Sequence, residues 1–251
     1  MDLQKANMWK RIAAWLLDSM LTCVVAVGFI AALSGMLGYE SHNSALQAAY
    51  DRYETQYGVQ FNLTQPEYEA LSQQELDTYQ QAYEALVADD EVLYEYNMVV
   101  NLSLVITTVG ILLGVLCIEF VVPLLLKNGQ TLGKKVFGIA LVRQDCVRVT
   151  VLQLFIRALL GKYTVETMIP VYMFLMFIWG MLDMTGLIVL AALLIAQLCC
   201  LAVTRNNSAI HDLLAGTVTV DLPSQRIFQS TDELIAYTKQ VHAERAAQQD
   251  Y

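Results

Sequence analysis

The apolar positions of this chain gather into four long runs, at about 12–38, 98–126, 165–182 and 185–203. A run of 18 or more residues with few charges is long enough for a helix to cross a bilayer. The four runs predict an all-α polytopic membrane protein with four transmembrane helices. The first run is longer than the ~7–15 residues of a signal-peptide core, and no A-x-A-like cleavage site follows it. It is therefore expected to stay as the first span, with Trp9 as an interfacial anchor ahead of it.

Between the runs the period changes. In 39–97, Leu71, Leu76, Tyr79, Tyr83 and Leu86 recur at helical spacing. Thr64 is a candidate N-cap, Pro66 suits a first turn, and Glu67 and Glu69 suit the positive end of a helix. Two helices are predicted, about 43–57 and 66–88, the second running on into the second span. In 127–163, "NGQTLGKK" reads as a turn into a short helix. "VFGIALVRQDCVRVTV" alternates like a small hairpin around Gln144, Asp145 and Cys146. "TVLQLFIRALLGK" reads as an amphipathic interfacial helix capped by Thr150, with Gln153 and Arg157 on one face. The tail, 222–251, is polar, and the Ser230/Glu233 capping box predicts a surface helix.

Charge adds an orientation. Of the residues, 56% are hydrophobic and only 16% charged, against about 25% charged in soluble domains. The net charge of −9 hides a division. Residues 39–97 hold twelve acids and one base, Arg52, whereas Lys127 to Lys162 holds seven bases and one acid, Asp145. Basic residues beside span ends mark the cytoplasmic side. Both termini and 127–163 are thus expected in the cytoplasm of a plasma (inner) membrane protein. The acidic helical segment 39–97 becomes an extracytoplasmic insert between spans 1 and 2. Asn62-Leu63-Thr64 in it has the form of a glycosylation sequon.

Several chemistries lack their residues. "GQTLGKK" has three residues, not four, between Gly129 and Gly133, and Lys135 stands where a phosphate loop needs Ser or Thr. No nucleophile elbow accompanies the adjacent His211 and Asp212, no H-x-x-x-H occurs, and the five cysteines form no C-x-x-C. No enzyme, cofactor, metal or nucleic-acid role is expected.

Ionisable groups inside the spans are different. Each costs roughly 2.5–3.5 kcal/mol to insert, so it faces a bundle interior or a watery cavity. Asp18 lies seven residues beyond Arg11, about 10 Å at ~1.5 Å per residue. Glu119 and Gln197 lie eight residues before Lys127 and Arg205, and Pro170 eight after Lys162. One polar residue or helix break per span at similar depth predicts a polar layer. Paired carboxylates there could bind a cation or exchange it for protons; equally, they could be a structural network held by Arg157 or Arg11. Helical side chains tilt toward the N-terminus, so Asp18 and Arg11 should each find a partner on another segment.

At these residues the sequence resembles the RDD family of membrane proteins, named for one arginine and two aspartates. Arg11 and Asp18 in "KRIAAWLLD" match its first arginine and aspartate. "GQTLGK" matches Gly129 to Lys134, Arg157 matches the arginine before the third span, and "HDLLAGT" is present entire at His211 to Thr217, with Asp212 as the other aspartate. The resemblance implies an RDD-like transmembrane domain over 5–221, with transport, including monovalent cation/proton exchange, as one role. An accessory subunit or scaffold of a membrane complex is the other, acting through the long acidic insert, in which this chain departs from the family. The expected polar network or ion site is Arg11, Asp18, Glu119, Arg157, Gln197 and Asp212. The cytoplasmic motif residues are Gly129, Gln130, Thr131, Gly133, Lys134 and His211. The expected partners are the bilayer and a second copy or another membrane protein.

Overall fold

The computed structural model describes residues 3–126, 129–178, 184–204 and 208–249. The end of the predicted third span and its turn into the fourth, at 179–183, lie outside these residues, as do the reference charges Lys127 and Arg205. The chain divides into two units, residues 1–27 with 111–251, and residues 28–110.

Among the described residues, two helical stretches are long and apolar enough to cross a membrane. The first is α1 (Met8–Met36). Its start is fixed by Asn7, whose side-chain oxygen accepts the Trp9 N–H at 2.9 Å. The second is the stretch Asp90–Leu126, with a mean hydropathy of 2.7 in its most apolar window. It comprises α5 (Asp90–Leu116), a π-helical segment (Cys117–Val121) and α6 (Val122–Leu126). Further on, a second π segment (Arg157–Met168) leads into α9 (Ile169–Ile178), and α10 (Met184–Val203) follows.

The larger unit contains a longer strand pairing than the small hairpin expected within an otherwise all-α chain. β1 (Ile139–Arg143) pairs antiparallel with β2 (Thr217–Asp221), Leu141 opposite Thr219. The predicted hairpin is only partial. Its turn exists, with Cys146 at φ 65° donating to the Arg143 carbonyl, but its return is a single bridge from Val142 to Arg148. The long partner of β1 comes instead from the end of the HDLLAGT stretch onward. Both faces of the pair are covered. Ala140, Val142, Val218 and Val220 pack with Leu3, Leu222 and Ile227, whereas Leu141 packs with Val149, Leu154 and Phe120. With both faces buried, the run of apolar residues lost the alternation that marks a half-exposed strand.

The polar ends of the chain join this core. The Lys5 backbone bridges Val220, and the Gln4 N–H donates to Gln225 at 2.8 Å. Phe228 is fully buried against Cys146 and Val147, ahead of α12 (Thr231–Gln249). The packed structure thus continues past residue 221.

The smaller unit holds α2 (Tyr39–Tyr57), α3 (Gln65–Glu69) and α4 (Gln73–Ala88). The single helix predicted at 66–88 is broken, because Ser72 and Glu75 form a capping box that restarts it. It also stops short of the second span. Asp89 accepts the Glu91 N–H at 3.0 Å, capping α5, while Arg52 and Tyr53 bond its other oxygen. Leu46, Leu86 and Val92, with Tyr50, Tyr53 and Phe61 against them, form a small core.

Candidate functional site

Asp18 is buried on α1, where the helical N–H groups are already committed to their own ladder. Its donors come from the loop before β1. Oδ1 accepts the Gly133 N–H at 2.8 Å and Oδ2 accepts the Thr131 hydroxyl. Gly133 lies in the first turn of α7 (Leu132–Val136), so the carboxylate also meets the positive end of that helix. This explains most of the GQTLGK stretch. Thr131 caps α7 and binds Asp18. A Cβ on Gly133 would lie 2.9 Å from the Asp18 carboxyl carbon and against the Ala14 carbonyl oxygen. Gln130 donates to the Ile139 carbonyl at 2.8 Å, and Gly129, at φ +62°, makes the turn. Lys134 sends its ammonium to Thr131 at 3.2 Å and stands 3.8 Å from Glu119.

Arg157 is the centre of the site. Its Nη1 donates to Glu119 at 2.7 Å and its Nε to Asp212 at 3.1 Å. Lys162 stands 3.5 Å from Glu119, and Arg11 reaches Asp212 at 3.4 Å. Asp212 belongs to α11 (Ile210–Ala215), which Gly216, at φ +64°, turns directly into β2. The preceding residue, His211, places Nδ1 2.6 Å from Glu166 and Nε2 3.5 Å from Asp212. Gln197 on α10 donates to Glu166 at 3.1 Å and accepts the Ile210 N–H at 3.2 Å.

These contacts join end to end, from Asp18 through Thr131, Lys134, Glu119, Arg157, Asp212, His211 and Glu166 to Gln197. Asp18, Glu119, Arg157, Gln197 and Asp212 all fall on this one chain, and Arg11 joins it at Asp212. Arg11 and Asp18 do not pair with each other in any described contact; each uses another segment. Pro170 has no place in the network. Lacking an N–H, it ends the second π run two residues past Met168.

The backbone geometry does part of this work. Glu119 lies in the first π segment, and Arg157, Lys162 and Glu166 lie in the second. A π-helix, bonded i→i+5, repeats about every four to five residues rather than 3.6. Spacings of five and then four therefore bring 157, 162 and 166 onto one face. The hydroxyls of Thr164 and Thr167 reinforce it, each donating to a carbonyl five residues back. In an α-helix Lys162 would point well away from Arg157. Lys162 and Glu166 are the functional-site residues that sequence reasoning missed; their spacing fits a π period, which no sequence pattern announced.

Four cationic and four anionic side chains balance here: Arg11, Lys134, Arg157 and Lys162 against Asp18, Glu119, Glu166 and Asp212. Burial lowers the Lys134 ammonium to about 8, with Glu119 pulling the other way. Burial opposes charge on Arg157 too, but Glu119 and Asp212 outweigh it and hold the guanidinium above its ordinary range. Burial likewise opposes charge on Asp212, yet His211, Arg157 and Arg11 keep the carboxyl below its ordinary value. His211 is pushed down, by burial first and then by Arg157, while Asp212 and Glu166 pull it up. Among the described residues, no buried side-chain nitrogen or oxygen lacks a hydrogen-bond partner, and no three or more His, Cys, Asp or Glu side chains converge as a shared set of metal ligands.

The network faces a cavity of about 380 Å³. Asp18, Glu119, Glu166 and His211 line its charged part, and Ile12, Trp15 and Leu198 contribute apolar wall. The arrangement can offer carboxylates to a small cation and an imidazole to a proton.

The sequence profile of the RDD family matches residues 5–216 of the chain, which include every residue of this network. No curated protein and no solved structure matches it.

Proposed function

The chain belongs to the RDD family, and from its site we propose that it is a small transporter of the cell membrane exchanging a monovalent cation for protons. The observation that carries this reading is the cavity, whose wall holds a charge-balanced set of ionisable groups beside membrane helices. Ionisable residues at membrane depth are costly and mark ion and proton pathways. In this reading, α1 and Asp90–Leu126 are the first two of four spans, and α9 and α10 belong to the other two. Both termini and the basic segment lie in the cytoplasm, and the acidic insert lies outside. A second copy completes the translocation path.

A second reading is an accessory subunit that binds a membrane partner through the insert. Its support is the exposed Tyr83, Val87, Tyr94 and Tyr96 in the smaller unit.

The test is proton flux in proteoliposomes under a sodium or potassium gradient. Wild type should show cation-dependent flux, and folded Asp18→Asn and Glu119→Gln should lose it by about tenfold or more, as ~1.4 kcal/mol in a barrier does. Flat traces from folded wild type, with a membrane partner lost on deleting 43–95, would replace the transport reading with the accessory one.

A further inference from the structure

Resting on the exchange reading, we infer that His211 is the proton carrier of the site and that Glu166 is the carboxylate at which the cation displaces that proton. The other carboxylates are committed. Asp18 is held by a backbone N–H and a hydroxyl, Glu119 is ringed by three cations, and Asp212 is held by two arginines. Among the described contacts, Glu166 has only neutral or titratable hydrogen-bond partners, Gln197 and His211, while Lys162 and Arg157 act on it from further away. Its charge can therefore be matched by either a proton on the imidazole or a cation from the cavity.

The geometry gives the proton a defined place. At 2.6 Å from an ionised Glu166, Nδ1 carries the hydrogen, because two acceptors would repel at that distance. The exchanged proton then adds to Nε2, which faces Asp212 at 3.5 Å. The groups around the ring are opposed. Glu166 and Asp212 favour the imidazolium, as does Glu119 from the first π segment, while Arg157 and Lys162 from the second π segment oppose it. Such a balance lets one added charge decide the state. When a monovalent cation settles beside Glu166, the Nε2 proton leaves to water in the cavity; when the cation departs, a proton from water replaces it. One positive charge enters as one leaves, and the site keeps its net charge.

The sequence offers a clean probe, since His42, His211 and His242 are its three histidines. The measurement is a histidine-selective nuclear magnetic resonance titration of the full-length protein in detergent, in sodium, in potassium, and in N-methylglucamine as an impermeant control. His42→Gln and His242→Gln assign the signals. The His211 midpoint should fall by about one pH unit in a saturating inorganic cation, corresponding to a tenfold competition, while His42 and His242 stay fixed. Glu166→Gln should abolish the dependence on cation. A His211 midpoint that is the same in all three salts would overturn the inference. If proteoliposome flux persists in that case, the exchange reading stands with another proton carrier; if flux is also absent, the exchange reading itself fails.

Discussion

Arg157→Leu should lose about 3–5 kcal/mol of stability, the range for stranding a buried ionic partner. The guanidinium holds Glu119 at 2.7 Å and Asp212 at 3.1 Å, and all three side chains are buried. Removing it leaves a buried net negative charge, with Glu119 and Asp212 each deprived of a close cation. Against a total stability of about 5–15 kcal/mol, most of the chain should fail to reach a folded state. Fluorescence-detected size exclusion and thermal unfolding in detergent would record this as lost monodisperse protein. Arg157→Lys should recover little, because one ammonium cannot reach both carboxylates that the fixed guanidinium fork bridges. Adding Asp212→Asn to Arg157→Leu should restore part of the loss, because three cations then face three anions. Lys239→Leu, on the exposed side of α12, should stay within about 0.5 kcal/mol of wild type. Wild-type stability in Arg157→Leu would mean that the ion pairs contribute nothing to the fold.

Gly161→Ala is the second large effect. A Cβ there would sit 2.7 Å from the His211 Cα, so no rotamer change relieves the contact. The second π segment and α11 would have to separate, at the place where His211 meets Glu166. Overpacking of this kind costs about 1–3 kcal/mol. The result should be a lower unfolding temperature and loss of cation-dependent flux even in the fraction that folds. Gly28→Ala is the contrast, since its Cβ would meet nothing within 4 Å. Removing a glycine from a helix interior there should be neutral or stabilising by up to about 1 kcal/mol. Equal stability and flux in both variants would show that the close approach of Gly161 to His211 is unimportant.

Much of this arrangement was legible in the sequence, for physical reasons. Apolar runs exposed α1 and Asp90–Leu126, because length and composition suffice to mark a helix that lipid can accept. The intramembrane Asp18 and Glu119 stood out because the cost of burying charge is high, and depth placed them near one level. Other features depended on contacts between distant segments. β1 finds its partner 74 residues beyond its last residue, counting from Arg143 to Thr217, and two covered faces removed its period. The break at Ser72 was masked by good helix formers on both sides. Lys162 and Glu166 were hidden by the π geometry, which changes the residues that share a face without changing composition.

The central claim is that a cation and a proton compete for one charged cavity. Proton release by purified wild-type protein in weakly buffered detergent tests it most directly. Adding sodium or potassium chloride to the folded protein should acidify the solution by about half a proton per chain near the His211 midpoint, saturably, while N-methylglucamine chloride at equal ionic strength should not. No release with either metal cation across pH 5 to 8, from protein that remains folded and monodisperse, would contradict the claim.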